Sequence, residues 1–497
     1  MKSNTGGEKT RTTIALVAVV CIAVLMVTLG VPTAAARGNS GLVTANASSH
    51  TIVVKPNGID DTADLQAAFN TCTSHGWTCT IQLVKGTYNT GQITVYGFQG
   101  SFAGAGQGMS VIQALPNLGS PTADPFWAAA PGPANPWPDL FTFVNGAFRV
   151  SQMTVADTYY NPVPNGWDYF GTPQTYLWAD IMVTGEQANA AFDHVALITG
   201  PGTFNIGIGN PSSFDSSGGL VYEGMLLPTG WLNAFGDQIP LSGTFSVTNC
   251  YLYGTDSAVW AENTLDASVT ISSNSITSSP TMIALDDLSN TQVWVYFNQM
   301  TNVMYAGGVY AYQSLFKYDL LPSTIYVTGN YIESNWFGSG VWVQDFGPSE
   351  GLASTLSVVA TGNDFVFDNG CGCAYLQYAG ALGAVDTLSA VLSWNTVTQG
   401  GWGVLVSGGP ATVSGNLILG TYVGVYLGAA DYTHVTWNVI KNSVDYGIAV
   451  VGGSSNNIVS YNLVKGSGLY DLYWDGSGTG NVWSHNSCQT SSPSGLC

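Results

Sequence analysis

The sequence predicts an all-β chain wound as a right-handed parallel β-helix, a solenoid with a short N-terminal capping helix and long lateral loops. Ten asparagines recur in near-identical surroundings such as VTGNYIE, VSGNLIL and VTWNVIK: Asn249, Asn274, Asn298, Asn330, Asn363, Asn395, Asn416, Asn438, Asn462 and Asn486. Their spacings are 25, 24, 32, 33, 32, 21, 22, 24 and 24 residues, the period of a unit that buries its apolar face only by stacking on its neighbours. Each unit alternates β-branched residues, with Gly, Ser and Asn at the breaks, which fits short strands and tight turns better than helices. Helical periodicity and regularly spaced leucines are both missing, which excludes helical solenoids and leucine-rich repeats.

The N-terminus carries Lys2, Lys9 and Arg11, an apolar run from Ile14 to Leu29, then Pro32 and Ala34 to Ala36. Residues 1–36 read as a secretory signal, with an uncleaved anchor as the alternative because the run is slightly long. Residues 37–50 follow as a linker, and residues 51–497 as one β-helix domain. Within it, 51–115 hold the cap and first coils, 116–243 hold coils with long insertions, and 244–497 hold the regular coils. The expected location is secreted or extracellular, with anchoring at the cell surface by an uncleaved N-terminal segment as the alternative. No later stretch is apolar for long enough to span a bilayer.

The chain has 10 Lys+Arg against 30 Asp+Glu, a formal charge of −20. Without residues 1–36 the balance is 7 against 29, a charge of −22. Such a surface repels nucleic acid and anionic lipid, so neither nucleic acid nor a membrane beyond the N-terminal anchor is an expected partner. Polyanion binding is disfavoured too, because it draws on Arg and Lys, and only Arg37 and Arg149 remain as arginines in the mature chain.

In an oxidising compartment the neighbouring cysteines Cys72 with Cys79, and Cys488 with Cys497, are expected to form local disulfides. Cys371 and Cys373 flank one residue, and a bridge there would be strained. Cys250 reads as a buried free thiol.

Residues 60–72, DDTADLQAAFNTC, form the one clear amphipathic helix, with Asp61 or Thr62 as its cap and Leu65, Ala68 and Phe69 on its apolar face. The segment IQLVKGTYNT follows as a strand pair turning at Gly86. A helix over the first coil covers an edge that would otherwise invite aggregation. KPNGIDDTADLQAAF followed by IQLVKGTY resembles the N-terminal cap of the pectin-lyase-like superfamily, and the later repeats resemble that superfamily's parallel β-helix repeats. The resemblance covers most of the mature chain and implies the fold. It leaves activity open, because the superfamily includes lyases, hydrolases, epimerases, tailspikes and binding proteins. Asp60 and Asp61 carry over only as structural residues of the cap.

Between about 115 and 243 the repeat is broken by segments such as DPFWAAAPGPANPWPDL and YYNPVPNGWDYFGTPQTYLW, read as lateral loops. Coils show through at FRVSQMTV and AFDHVALI, where Asp193 takes a ladder-like place.

A strand begins about a dozen residues after each ladder asparagine. Its first inward residues align as Val259, Ile283, Val309, Val341, Ala374, Val404, Val425, Ile448 and Leu472. Strand alternation turns the next residue outward: Trp260, Ala284, Tyr310, Trp342, Tyr375, Leu405, Tyr426, Ala449 and Tyr473. Two positions on come Glu262, Asp286, Tyr312, Gln344 and Gln377, and one step further Asn263, Asp287, Gln313, Asp345 and Tyr378. Coils with long spacings add SLFKYDLLPS, FGPSEGLAS and AGALGAVD as a loop wall beside these groups.

Aromatic rings, acids, amides and a wall together suggest a groove for a polysaccharide or cell-surface glycan. Trp260, Tyr310, Trp342 and Tyr375 would stack on sugars, with Gln313, Gln344 and Gln377 as hydrogen-bonding partners. If the chain is an enzyme, glycoside hydrolysis by Asp287 and Asp345 is expected, assisted by Glu262 and Asp286. Two coil steps, roughly 9–10 Å, suit the wider carboxylate separation of inverting hydrolases. Solvated turn carboxylates on a very acidic protein are the alternative reading. A Ca²⁺ site is a further one, since stacked carboxylates with amide oxygens suit a hard cation; no other metal or cofactor is expected. A non-catalytic binding module or an adhesin-like structural solenoid would use the same surface without turnover.

The basic residues of a pectate-lyase-like site, the Gly-His-Gly and Arg-Ile-Lys set of polygalacturonases and the Asp-Pro-His-Asp motif of epimerases are all missing. Lyase or epimerase action on a polyuronate is therefore disfavoured.

Overall fold

Consecutive coils pair in parallel, residue over residue, from the cap to the C-terminus. In a computed structural model of the chain, residues 50–115, 140–157, 180–199, 220–223, 241–253, 257–277, 281–303, 307–313, 321–334, 338–348, 351–367 and 380–497 are described. The signal region, the two aromatic insertions and the pair Cys371 and Cys373 lie outside them.

The fold is a right-handed parallel β-helix. Strand pairing builds one apolar column from Val259 through Ile283, Val309, Val341, Leu382, Val404, Val425 and Ile448 to Leu472. Every member is at most 1 % exposed. A second column, Val293–Ile325–Val358–Ala390, and a third, Ile276–Met300–Ile332–Phe365–Val397, close the other sides of the core. Branched side chains fit because each stacks on its like about 4.8 Å above.

At one corner the asparagine ladder runs through the wall. Asn298 Nδ2 donates to Ile271 O at 2.9 Å and to Asn330 Oδ1 at 3.0 Å, while Asn298 N donates to the same Asn330 oxygen at 2.9 Å. The arrangement repeats up to Asn462 on Asn486. Each amide thereby satisfies backbone groups that a sharp corner leaves buried and unpaired.

The ladder's first member differs from the expectation. Cys250, not Asn249, stands in the column, its N–H donating to Asn274 Oδ1 at 2.8 Å. Asn249 sits one residue earlier, at φ 54°, and donates through Nδ2 to Asp193 Oδ1 at 2.9 Å. The odd spacing of 25 residues before Asn274 is the trace of that shift. Asp193 pairs in register with Thr248, two residues short of the ladder column. A second, shorter ladder links Thr433, Asn457 and Asn481 near the C-terminus.

Helix α1 spans Thr62–Ser74 and buries Leu65, Ala68, Phe69 and Cys72. Phe69 meets Phe98 and Phe102 at ring centroids of 5.1 Å and Phe143 at 5.7 Å, plugging the open first coils. Asp61 is the N-cap, as expected, but its side chain makes no capping bond; Asp60 Oδ1 accepts the Thr62 N–H at 2.9 Å. Asp61 is fully buried and accepts from Asn57 N and Asn89 N at 2.6 and 3.0 Å, tying the cap to the first coil. Cys72–Cys79 and Cys488–Cys497 are disulfides, and Cys250 is a buried free thiol.

Candidate functional site

The strands from Ser257–Ser272 to Tyr470–Trp474 form one sheet, and its outer face carries the aromatic stripe. Pairing places Trp260, Ala284, Tyr310, Trp342, Gly383, Leu405, Tyr426, Ala449 and Tyr473 in a single column. The column's tryptophans and tyrosines are half-buried, so each presents part of a ring to solvent. Trp260 Nε1 donates to Asp286 Oδ2 at 2.8 Å, bridging two coils. Trp342 Nε1 donates to Gln344 Oε1 at 3.2 Å. Desolvation pushes the Tyr310 hydroxyl up, and the Asp286 charge adds to it. Tyr312 is raised by desolvation and then by Asp287 and Asp286, and its ring lies 4.8 Å from Phe346. Glu262 pairs through its backbone with Asp286.

The residues one step beyond the outward column turn away from this face. Asp287 is 5 % exposed and adopts φ 49°. Asn145 and Asp386 hold φ 58° and 52° at the equivalent corner of other coils. Asn and Asp are the non-glycine residues that accept this left-handed conformation most readily, which suits Asp287, Asn145 and Asp386 to that corner. Gln313 is 1 % exposed; its amide accepts from Leu288 N and donates to Leu288 O at 3.2 and 3.3 Å. Asp345 is 1 % exposed and accepts from Gly347 N, Thr355 N, Thr355 Oγ1 and Leu356 N at 2.9, 2.6, 3.2 and 3.1 Å. Its oxygens are spent on holding the following loop. The expected pairing of Asp287 with Asp345 across a substrate is corrected accordingly: strand alternation turns position 345 inward as surely as it turns 344 outward.

The fifth coil also differs. Gly380–Val385 is the strand that stacks on Ser339–Asp345, so AGALGAVD is the face itself rather than a loop after it. Gly383 takes the place expected for Tyr375; Tyr375 and Gln377 lie outside the described residues. A Cβ on Gly383 would stand 2.3 Å from the Trp342 ring, so the indole rests on bare backbone.

Sequence reading missed a second aromatic column beside the first. Gly380, Trp402, Val423, Tyr446 and Tyr470 pair two residues ahead of the inward positions. The signal was the repeated aromatic in GWGV, VDYGI and GLYDL. Also missed was a polar depression of about 510 Å³ over the first coils, lined by Gln99, Asn145, Gln187 and Asn189 among others.

The strands of this face carry no lysine or arginine. Among the described residues no group of three or more His, Cys, Asp or Glu is placed to hold a metal ion, and no helix is long and apolar enough to cross a membrane.

A family model described as periplasmic copper-binding protein (NosD) matches residues 357–492, a little over a quarter of the chain. That segment contains no methionine. His434 and His485 are two coils apart, and Cys488 is in a disulfide. The described residues there do not make a copper site by donor chemistry.

Among solved structures, the pre-mature bacteriophage phi29 gene product 12 matches with TM-score 0.51 and 12% identity over 88% of this chain and 55% of that one. This chain therefore spans about half of that protein's length. The Azotobacter vinelandii mannuronan C-5 epimerase AlgE6 A-module matches with TM-score 0.39 and 12% identity, covering 87% of this chain and 94% of that one. A Yersinia enterocolitica family 28 exopolygalacturonase matches with TM-score 0.34 and 8% identity over 89% and 78%. No curated protein matches the chain. The shared element is the fold, a parallel β-helix.

Proposed function

We propose that the chain is an exported protein whose aromatic outer face binds a neutral polysaccharide or cell-surface glycan. The observation that carries this reading is the Trp260 indole held by Asp286 at 2.8 Å, in register with Tyr310 and Trp342. Half-exposed rings offer apolar faces to sugar C–H groups, and adjacent acids and amides accept hydroxyl hydrogen bonds. The absence of lysine and arginine from the strands of the face favours a neutral ligand over a polyuronate. Two local disulfides fit an oxidising compartment, as does the periplasmic description of the matching family model.

Binding is favoured over hydrolysis because Asp345 would have to leave four hydrogen bonds to act as acid or base. A non-catalytic, adhesin-like solenoid is the remaining alternative. A glycan array with wild type, Trp260→Ala and Asp286→Asn tests the reading. Retention of one class of neutral glycan by wild type, weakened in both variants, is the expected result. Retention of none, with intact folding, would end it. Release of new reducing ends by wild type, lost in Asp286→Asn, would make the face an active site instead.

A further inference from the structure

We propose that a single neutral sugar ring of β-gluco configuration inserts between Trp394 and Trp437 at the asparagine-ladder corner, a site apart from the sheet face. The residue before each of the last five ladder asparagines holds the left-handed backbone: Trp394, Gly415, Trp437, Tyr461 and His485 have φ 59°, 68°, 60°, 57° and 56°. Glycine adopts that conformation freely, whereas bulky side chains accept it rarely. Rings held there against that preference point to a use for the rings themselves. They are also open to solvent, Trp394 at 69% and Trp437 at 63% exposure.

Above Trp437 the corner stacks one ring per coil. Trp437 lies on Tyr461 at 4.5 Å and 6°, and Tyr461 on His485 at 4.7 Å and 8°, so these rings lie flat across the solenoid axis. Below Trp437 the stack lacks a rung. Gly415 holds the coil between Trp394 and Trp437, and a Cβ there would stand 2.8, 2.9 and 3.0 Å from three atoms of the Trp394 indole. Trp394 therefore turns a ring face toward the gap, and Trp437 bounds it on the side away from Tyr461. Two coil steps, roughly 9–10 Å, separate the indoles, which leaves roughly 4.8 Å on each side of a ring placed midway. A sugar chair whose axial substituents are all hydrogen offers an apolar face to both indoles. An axial hydroxyl, as in the manno and galacto epimers, would be pressed unpaired against one of them. Residues 391–398, 412–419 and 435–440 hold no acid or base, which fits an uncharged ligand on a chain of net charge −20. Equatorial hydroxyls would radiate in the plane of the gap, toward solvent and the half-buried Ser414.

The test is a ligand-observed NMR titration of the full chain with methyl β-glucoside, methyl α-mannoside and methyl β-galactoside. Wild type is expected to bind the glucoside at least about tenfold more tightly than either epimer. Trp394→Gly puts at this corner the residue its backbone accepts most freely, so the variant should fold and bind the glucoside at least about tenfold more weakly. Gly415→Asn keeps a residue that tolerates the left-handed backbone but fills the gap, and should weaken binding likewise. Trp260→Ala, on the sheet face, should leave glucoside binding unchanged. No glucoside binding by wild type, equal binding of the three glycosides, or binding indifferent to both corner variants would overturn the slot. Loss of glucoside binding in Trp260→Ala alone would also overturn it, while supporting glycan binding on the sheet face.

Discussion

Asp345 Oδ2 accepts the backbone N–H of Thr355, ten residues further along the chain, at 2.6 Å. With Leu356 N and Gly347 N on the same carboxylate, it closes the loop that separates one coil from the next. Asp345→Ala is expected to destabilise the protein by about 2–4 kcal/mol, since it strands buried N–H groups that a charged acceptor satisfied. Urea unfolding measures this. Unchanged stability in Asp345→Ala, together with loss of a polysaccharide-cleaving activity, would return Asp345 to catalysis.

Position 363 is expected to be far less tolerant than position 249. Asn363 Oδ1 accepts from Asn330 N and Nδ2, and its own Nδ2 donates to Val327 O and Asn395 Oδ1. Asn363→Ala should cost about 2–4 kcal/mol, whereas Asn249→Ala, at an exposed corner, should cost about 1 kcal/mol or less. Cys250→Asn should be neutral or stabilising, because it supplies the amide that the ladder lacks at that rung. Equal melting points for the two alanine variants would contradict the assignment of Cys250 to the column.

Burial pushes the Cys250 thiol up to about 12. It should therefore resist a thiol-specific disulfide reagent at pH 8 in the folded protein and react stoichiometrically in denaturant. Rapid native-state labelling would show that the corner opens.

Asp193 is pulled upward by desolvation, but hydrogen bonds from Asn249, His194 and Arg149, with the His194 charge, hold it at about 2. Its folded pKa lies below the unfolded value of 3.8, so its contribution is complete above about pH 4 and is lost as pH falls toward 2. Because Arg149 is 57% exposed, screening limits the effect to about 1–2 kcal/mol. Asn249→Ala or Arg149→Ala should flatten the acid limb of a stability–pH curve; an unchanged limb would place the acid sensitivity elsewhere.

Gly383→Val puts a side chain where the Trp342 ring lies, with a Cβ 2.3 Å from it. The ring must move, at a cost of about 1–3 kcal/mol. A red shift in tryptophan emission with weakened glycan binding is expected. Wild-type emission from the variant would show that Trp342 does not rest there.

The ladder rungs from Asn274 upward, the inward columns and the cap helix were legible because each depends on a local pattern repeated at a readable period. Stripe members Trp260, Tyr310 and Trp342 were legible for the same reason: once one inward residue is fixed, alternation fixes its neighbour. Gly383 holds the stripe's place on the coil of Tyr375 because two segments, CAYLQ and GALGAV, satisfy the same alternation, and pairing with Val341 selects the second. Asp287 and Asp345 were read as polar residues beside the stripe; their burial, to 5 % and 1 % exposure, was not legible in the sequence.

The amino-acid order alone determined that this chain must stack coil on coil, because its apolar residues recur at a period that no single turn can bury. It also determined that any ligand meets an acidic, cation-poor surface. Which polar side chains face solvent was decided only in three dimensions. A carboxylate at a corner has two possible partners, the solvent or the loop backbone that folds over it, and the winner depends on where residues ten or more positions away come to rest.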